Sequence, residues 1–327
     1  MGASREMIHT RLYRNGKFAE SDFDAARISD HLEEPDTMVW LDVEDPDMED
    51  FGLLPEEFGL HELAVEDATK PYQRPKLEIY DDHLFVVMYA LSNHSDELTQ
   101  SEIDVFLGKR YMITVRKSPV WDMKPVIARW DAEEDLSDEG IGFFLYALMD
   151  VVVDEYMSLA ENLNDELEDL QESLFSGFAQ RDVQKGIFNM RRKLVSFNRY
   201  AIPFREVLNS LLRRDRKEFS DEMRLYFQDV YDHLIRVGSS LETMREILSS
   251  AYEVHLSLTS NHLNEIMKKV TSWAALLGVA TVIAGIYGMN FKLVPRDATL
   301  GGFWFAIGLM VVASLALYTM FKKKDWL

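Results

Sequence analysis

The run Val270–Phe291, VTSWAALLGVATVIAGIYGMNF, has no charged side chain between Lys269 and Lys292. At a helical rise of about 1.5 Å per residue it reaches roughly 33 Å, enough to cross a bilayer core of about 30 Å. A helix on the core of a soluble domain shows an apolar stripe and a polar face, whereas this segment is apolar all round. A second uncharged run, Ala298–Phe321, follows after a connection too short to be a domain. Two such runs predict a membrane-spanning hairpin. Lys268 and Lys269 stand directly before the first run, and Lys322, Lys323 and Lys324 directly after the second. Positive flanks stay on the cytoplasmic side, so both termini are expected in the cytoplasm and residues 292–299 form the outer loop.

Charge separates the rest of the chain in two. Residues 1–160 hold 36 acidic and 14 basic side chains, and residues 161–327 hold 20 and 21. The acidic front half argues against a nucleic-acid partner, because phosphates need a basic patch. It draws cations, although acidity also serves plain solubility. With no cysteine, disulfides and thiolate metal sites are excluded. The opening MGASREMIHT has no apolar core and is expected not to be a signal peptide, and Glu6 stands where a myristoylation signal has Ser or Thr.

Residues 1–150 read as mixed α/β. Ile8–Tyr13, the pair Asn15-Gly16 and Lys17–Ala19 predict a hairpin. Met38–Val43 and His83–Leu91 read as strands. Glu102–Leu107 and Arg110–Arg116 form a second hairpin about Gly108-Lys109, with acidic and apolar residues alternating in EIDVFL. Helices are expected near Pro55–Thr69 and Pro119–Trp130. From Phe144 the period becomes helical. Tyr156, Leu159, Leu163, Leu167, Leu170 and Leu174 form one stripe, and Gly177 marks a break. Ile187, Met190, Leu194, Phe197, Ala201, Phe204, Leu208 and Leu211 form the next, with Pro203 a candidate kink. A third stripe runs from Tyr226 to Leu258, and no proline interrupts residues 204–294. One helix from Ser220 to Asn290 would span roughly 105 Å. No phosphate-binding loop, GxSxG elbow or HExxH appears. His233, His255 and His262 fall on helical spacing and are read as packing or surface residues.

Tyr287-Gly288-Met289-Asn290 closes the first apolar run, and the chain ends in the basic tail KKKDWL. This arrangement resembles the CorA family of magnesium channels, named for its GMN motif. QRPK at Gln73–Lys76, VEDA at Val65–Ala68 and FQDVYDH at Phe227–His233 resemble segments of the same family. The likeness covers about residues 60–327. It implies an α/β cytosolic domain followed by a long stalk helix and two C-terminal transmembrane helices, assembled as a homopentameric, funnel-like channel in the plasma (inner) membrane. The implied divisions are 1–140 for the α/β domain, 141–219 for a helical region, 220–269 for the stalk, 270–291 for the pore helix, 300–321 for the second span and 322–327 for the tail.

One hairpin cannot enclose a water path, so transport needs several copies. The first run contains no Asp or Glu. Magnesium gives up water reluctantly, and a pore without carboxylates suits an ion that keeps much of its hydration shell. Gly288, Met289 and Asn290 are the candidate selectivity filter, with Asn290 amide oxygens accepting hydrogen bonds from the ion's waters. The resemblance implies pore-facing positions at Asn264, Met267, Val270, Gly278, Thr281 and Gly285. Thr281 and Asn264 would touch hydrated ions, and Met267 and Val270 would form an apolar constriction. Helix–helix packing in lipid also favours small residues and stands as the alternative for each of these. Two departures stand out. Gly278-Val279 replaces the family's bulky residue and proline, and the loop FKLVPRD has Arg296 where relatives carry glutamate, with Lys292 adding a second positive charge and Asp297 the one acid.

By the same resemblance Glu66, Asp67, Asp150 and Asp229 are the carboxylates that bind regulatory magnesium between neighbouring subunits. Magnesium is therefore expected as both transported and regulatory ion, with cobalt or nickel as further cargo and no separate cofactor. A divalent ion crossing 100 mV inward gains roughly 4.6 kcal/mol, so uptake needs no ATP. The alternatives are a proton-coupled zinc transporter of the same superfamily and a membrane-tethered cation sensor that does not conduct. No catalytic constellation points to an enzyme.

Overall fold

The computed structural model describes all residues except 1–7, 47–50, 52–57, 95–96, 118–120, 133–138, 176–179, 214–218 and 290–299. The chain divides into two compact units, Met1–Ser249 and Ser250–Leu327.

The first unit is built on a seven-stranded sheet of order β2-β1-β3-β7-β6-β5-β4. Strands β1 (Ile8–Arg14) and β2 (Lys17–Ser21) form the expected hairpin. Asn15 and Gly16 turn it at φ 47° and 72°, the left-handed pair that a two-residue type I′ turn requires. β3 (Thr37–Glu44) pairs antiparallel with β1 and parallel with β7 (Tyr111–Arg116). β5 (Leu84–His94) and β6 (Glu97–Leu107) are paired along eleven positions each, and β4 (Lys76–Ile79) closes the edge. β6 starts five residues earlier than the sequence suggested, and β4 was not foreseen. The alternation in EIDVFL does not mark a solvent face, because Glu102 and Asp104 are buried.

Helices α1 (Ile28–Glu33), α2 (Glu62–Thr69) and α3 (Lys124–Ala132) are short. The two inside the expected helical stretches begin at Glu62 and Lys124; residues 55–57 and 119–120 lie outside the described part. On one side of the sheet Trp40 of β3 meets Trp130 of α3, which in turn meets Phe144 of α4 (Ile141–Phe175). α4 and α5 (Gln180–Leu211) run antiparallel: Tyr156 touches Phe197 and Phe204, and farther along Glu166 pairs with Lys193 and Leu170 lies against Gly186. Every residue of the predicted α5 stripe is buried, and the helix continues through Pro203. Gly177 lies outside the described residues.

Helix α6 (Asp221–Tyr287) is a single element of 67 residues. Met223, Phe227, Val230, Leu234, Val237, Leu241, Met244 and Leu248 are its buried face in the first unit. Burial of the predicted stripe fades at its end, where Leu258 is exposed. In the second unit α6 and α7 (Leu300–Lys323) are the two helices long and apolar enough to span a membrane.

Candidate metal-sensing and pore sites

Of the four predicted sensing carboxylates, two sit on α2. His61 caps this helix by accepting the Leu63 N–H on Nδ1 at 3.2 Å. Glu66 pairs one turn on with Lys70 at 2.8 Å, an exposed i,i+4 contact. Asp67 is held more firmly: Lys76 Nζ on β4 lies 2.5 Å from Oδ2, and Lys70 is 3.7 Å from Oδ1. The Lys76 hydrogen bond holds the Asp67 carboxyl below the usual carboxylate range. Lys76 also binds Glu78 at 2.7 Å.

The other two lie elsewhere. Asp150 projects from α4, buried, and is paired with Arg129 of α3. Burial pushes its carboxyl up to about 6; Arg129 and His233 counteract this, while Asp154 and Asp229 add to it. Asp229 lies one turn before His233 on α6, with His233 Nε2 3.7 Å from its carboxylate. Asp150, Asp154 and His233 each offer a ligand atom, all within 4.8 Å of one another. His233 Nδ1 is buried and, among the described residues, has no hydrogen-bond partner. An open cleft of about 760 Å³ is lined in part by Arg129, Asp154 and Glu155.

Two oxygen donors and an imidazole suit a divalent cation, which would have to displace Arg129 from Asp150 and Asp154. Asp154, His233 and Arg129 were missed in the sequence, where His233 read as a packing or surface residue. The i,i+4 spacing of Asp150 with Asp154 and of Asp229 with His233 was the available signal. Among the described residues, Glu66, Asp67 and Asp229 do not belong to this cluster.

In the second unit, α6 has one face of candidate pore residues. At about 100° per residue, Asn264, Met267, Val270, Gly278, Thr281, Gly285 and Gly288 fall within an arc of about 120°, and all are exposed on the single chain. Of the buried or partly covered positions, Ser272, Leu276, Val279, Ala280, Ile283 and Tyr287 lie on the opposite face. Thr281 donates its hydroxyl to the Leu277 carbonyl at 2.9 Å, which leaves its oxygen as an acceptor toward the exposed side. The helix ends with Gly288 N–H on Ala284 O at 2.8 Å and Met289 N–H on Ile286 O at 3.3 Å. A helix C-terminus carries partial negative charge, which favours a cation there. Asn290, Lys292, Arg296 and Asp297 lie outside the described residues.

The two ends of the hairpin meet. Ser272 Oγ bonds Lys268 O at 2.8 Å and approaches Trp326 O at 3.5 Å, while Trp326 stacks on Phe321. The lysines before α6's apolar run and those that end α7 are therefore at one end, as the charge pattern predicted.

The family described as CorA-like Mg2+ transporter protein matches residues 35–323. The chain belongs to the CorA family. It is 32% identical to YfjQ of Bacillus subtilis over 298 residues, covering 91% of this chain and 92% of that one. It is 34% identical over 273 residues to the cobalt/magnesium transport protein CorA of Thermotoga maritima, covering 83% and 78%. The complete structure of the CorA magnesium transporter of Methanocaldococcus jannaschii superposes with a TM-score of 0.80 at 26% identity, covering 98% of this chain and 99% of that one. As a CorA protein the chain is a membrane transporter of divalent metal ions and not an enzyme, in a family that forms oligomeric channels.

Proposed function

We propose that the chain forms a homopentameric channel for passive, potential-driven uptake of hydrated magnesium, with cobalt and nickel as further cargo. The observation that carries this reading is the arc of α6 that holds Asn264, Met267, Val270, Gly278, Thr281, Gly285 and Gly288, which contains no carboxylate and ends at the GMN motif. Such a face cannot replace the water of a magnesium ion, but its glycines, threonine and asparagine can touch that water. Gly288, Met289 and Asn290 form the filter at the outer end, and Met267 and Val270 an apolar constriction near the cytoplasmic end. The lysine flanks support a topology in which the soluble domain and both termini are cytoplasmic and the plasma (inner) membrane holds the hairpin.

Closure is set by cytosolic magnesium. Glu66 and Asp67 of one subunit face Asp150 and Asp229 of the next, and magnesium bridges carboxylates that otherwise repel. When magnesium is scarce the bridge is lost, and the unbroken helix α6 transmits the change toward the pore.

The test is magnesium entry into proteoliposomes holding an inside-negative potential, with wild type beside Asn290→Ala. Potential-driven entry that Asn290→Ala reduces at least tenfold supports the channel and its filter. The outer-loop Lys292 and Arg296, and similarity to the zinc transport protein ZntB of Photorhabdus laumondii at 24% identity over 263 residues, favour one rival. Zinc movement that follows a proton gradient, without magnesium entry, would replace the first reading with that one.

A further inference from the structure

Strand β6 carries Glu102 and Asp104 on one face, and both are buried, at 5% and 0% exposure. They share one cation. Lys117 Nζ lies 2.6 Å from Glu102 Oε1 and 2.8 Å from Asp104 Oδ2. Glu102 is otherwise well supported, since its second oxygen accepts the Tyr72 N–H at 2.6 Å and the Tyr89 hydroxyl at 2.7 Å. Asp104 has no such support: Lys117 is close, but among the described residues neither carboxylate oxygen has a hydrogen-bond donor. The flanking residues on β5 and β7 are Val87 and Val115. Tyr200 of α5 lies against the ring of Tyr89 of β5, whose hydroxyl is held protonated by burial and its bond to Glu102. Lys76 of β4 stands in the same cross-strand row as Asp104, with Val87 of β5 between them, and is already bound to Asp67 and Glu78.

Two carboxylates against one ammonium leave a net negative charge out of reach of water. Burying such a charge is costly, and taking up a proton removes it. We propose that Asp104 is a proton-binding site whose occupancy sets how readily Lys76 releases Asp67 to a divalent cation. The inference rests on the reading of Asp67 as a sensing ligand. The step is one O–H bond formed on the Asp104 carboxylate, with its charge going from negative to neutral.

Ionised Asp104 pulls on Lys76 and weakens its hold on Asp67, so a cation arriving there meets less competition. Protonated Asp104 leaves Lys76 committed to Asp67 and Glu78. Lys117 also donates to the Lys70 carbonyl at 2.8 Å, and Glu102 to Tyr72 tethers the same segment, so the network touches the end of α2 directly. Burial raises the Asp104 carboxyl to about 7, which puts the transition in the cytosolic range. The divalent response weakens as pH falls from 8 to 6.

The experiment uses the full-length protein in nanodiscs. Magnesium protection from protease is titrated at pH 8, 7 and 6 for wild type, Asp104→Asn and Asp67→Asn, and the protonated-carboxyl infrared band is followed over the same range. The expected result is a half-protective magnesium concentration that rises several-fold from pH 8 to pH 6 in wild type. In Asp104→Asn it stays near the wild-type value at pH 6, and the infrared band that titrates near neutrality is lost. A wild-type band absent between pH 6 and 8, or a pH response unchanged in Asp104→Asn, overturns the proposal. Protection unaltered by Asp67→Asn at every pH overturns the sensing role of Asp67, while the infrared result judges the proton site separately.

Discussion

Replacing Arg116 by Met would strand a buried carboxylate at the parallel seam between β3 and β7. Arg116 Nε and Nη2 grip Asp42 at 3.1 and 2.7 Å, and Asp42 is 1% exposed. The same guanidinium donates to Glu44 at 2.8 Å and to the Trp121 carbonyl at 2.6 Å. In the variant Asp42 keeps only the Thr114 hydroxyl, at 2.6 Å, as a hydrogen-bond donor among these groups. Breaking a buried pair from one side costs about 3–5 kcal/mol, most of it the stranded charge. For a unit of this size each kcal/mol moves Tm by about 2–4 °C, so a fall of roughly 6–20 °C is expected. Thermal unfolding of the full-length protein in detergent, followed by tryptophan fluorescence, measures it. The double variant Asp42→Asn/Arg116→Met removes the stranded charge and should regain at least half the loss. A single-variant drop under about 3 °C, or a double variant no better than the single, would refute the reasoning.

Two further substitutions test the buried polar groups by the same assay. Tyr156→Phe removes the hydroxyl that donates to Tyr89 O at 2.7 Å inside the core and should cost about 1–3 kcal/mol, lowering Tm by several degrees. Asp104→Asn should change the pH dependence of stability: burial pushes the folded carboxyl up from its ordinary value near 3.8 to about 7, so wild type binds its proton more tightly when folded. That stabilising contribution is complete below about pH 4 and is lost as pH rises through 7, a change on the order of 4 kcal/mol that the Asn variant lacks.

The membrane hairpin was legible because lipid imposes a requirement that each segment meets alone: an uncharged run of sufficient length. The α5 stripe was legible for a similar reason, since a 3.6-residue period survives whatever the helix packs against. The Asn15-Gly16 hairpin needed only two left-handed residues. Glu102 and Asp104 were not legible as core residues, because alternation looks the same whether water or protein covers the second face. The Asp150–Asp154–His233 cluster joins helices far apart in sequence, and only the packing of α4 against α6 brings it together. Short β4 and α1 hold too few residues to show a period.

The central claim is that cytosolic magnesium closes a magnesium-conducting pore, and the most direct measurement is magnesium current across a patch with the cytoplasmic face perfused. The account predicts inward current at negative potential when cytoplasmic magnesium is removed, and closure when millimolar magnesium returns, with no need for ATP. A current indifferent to cytoplasmic magnesium would contradict the closure mechanism, and no magnesium current in either condition would contradict the channel itself.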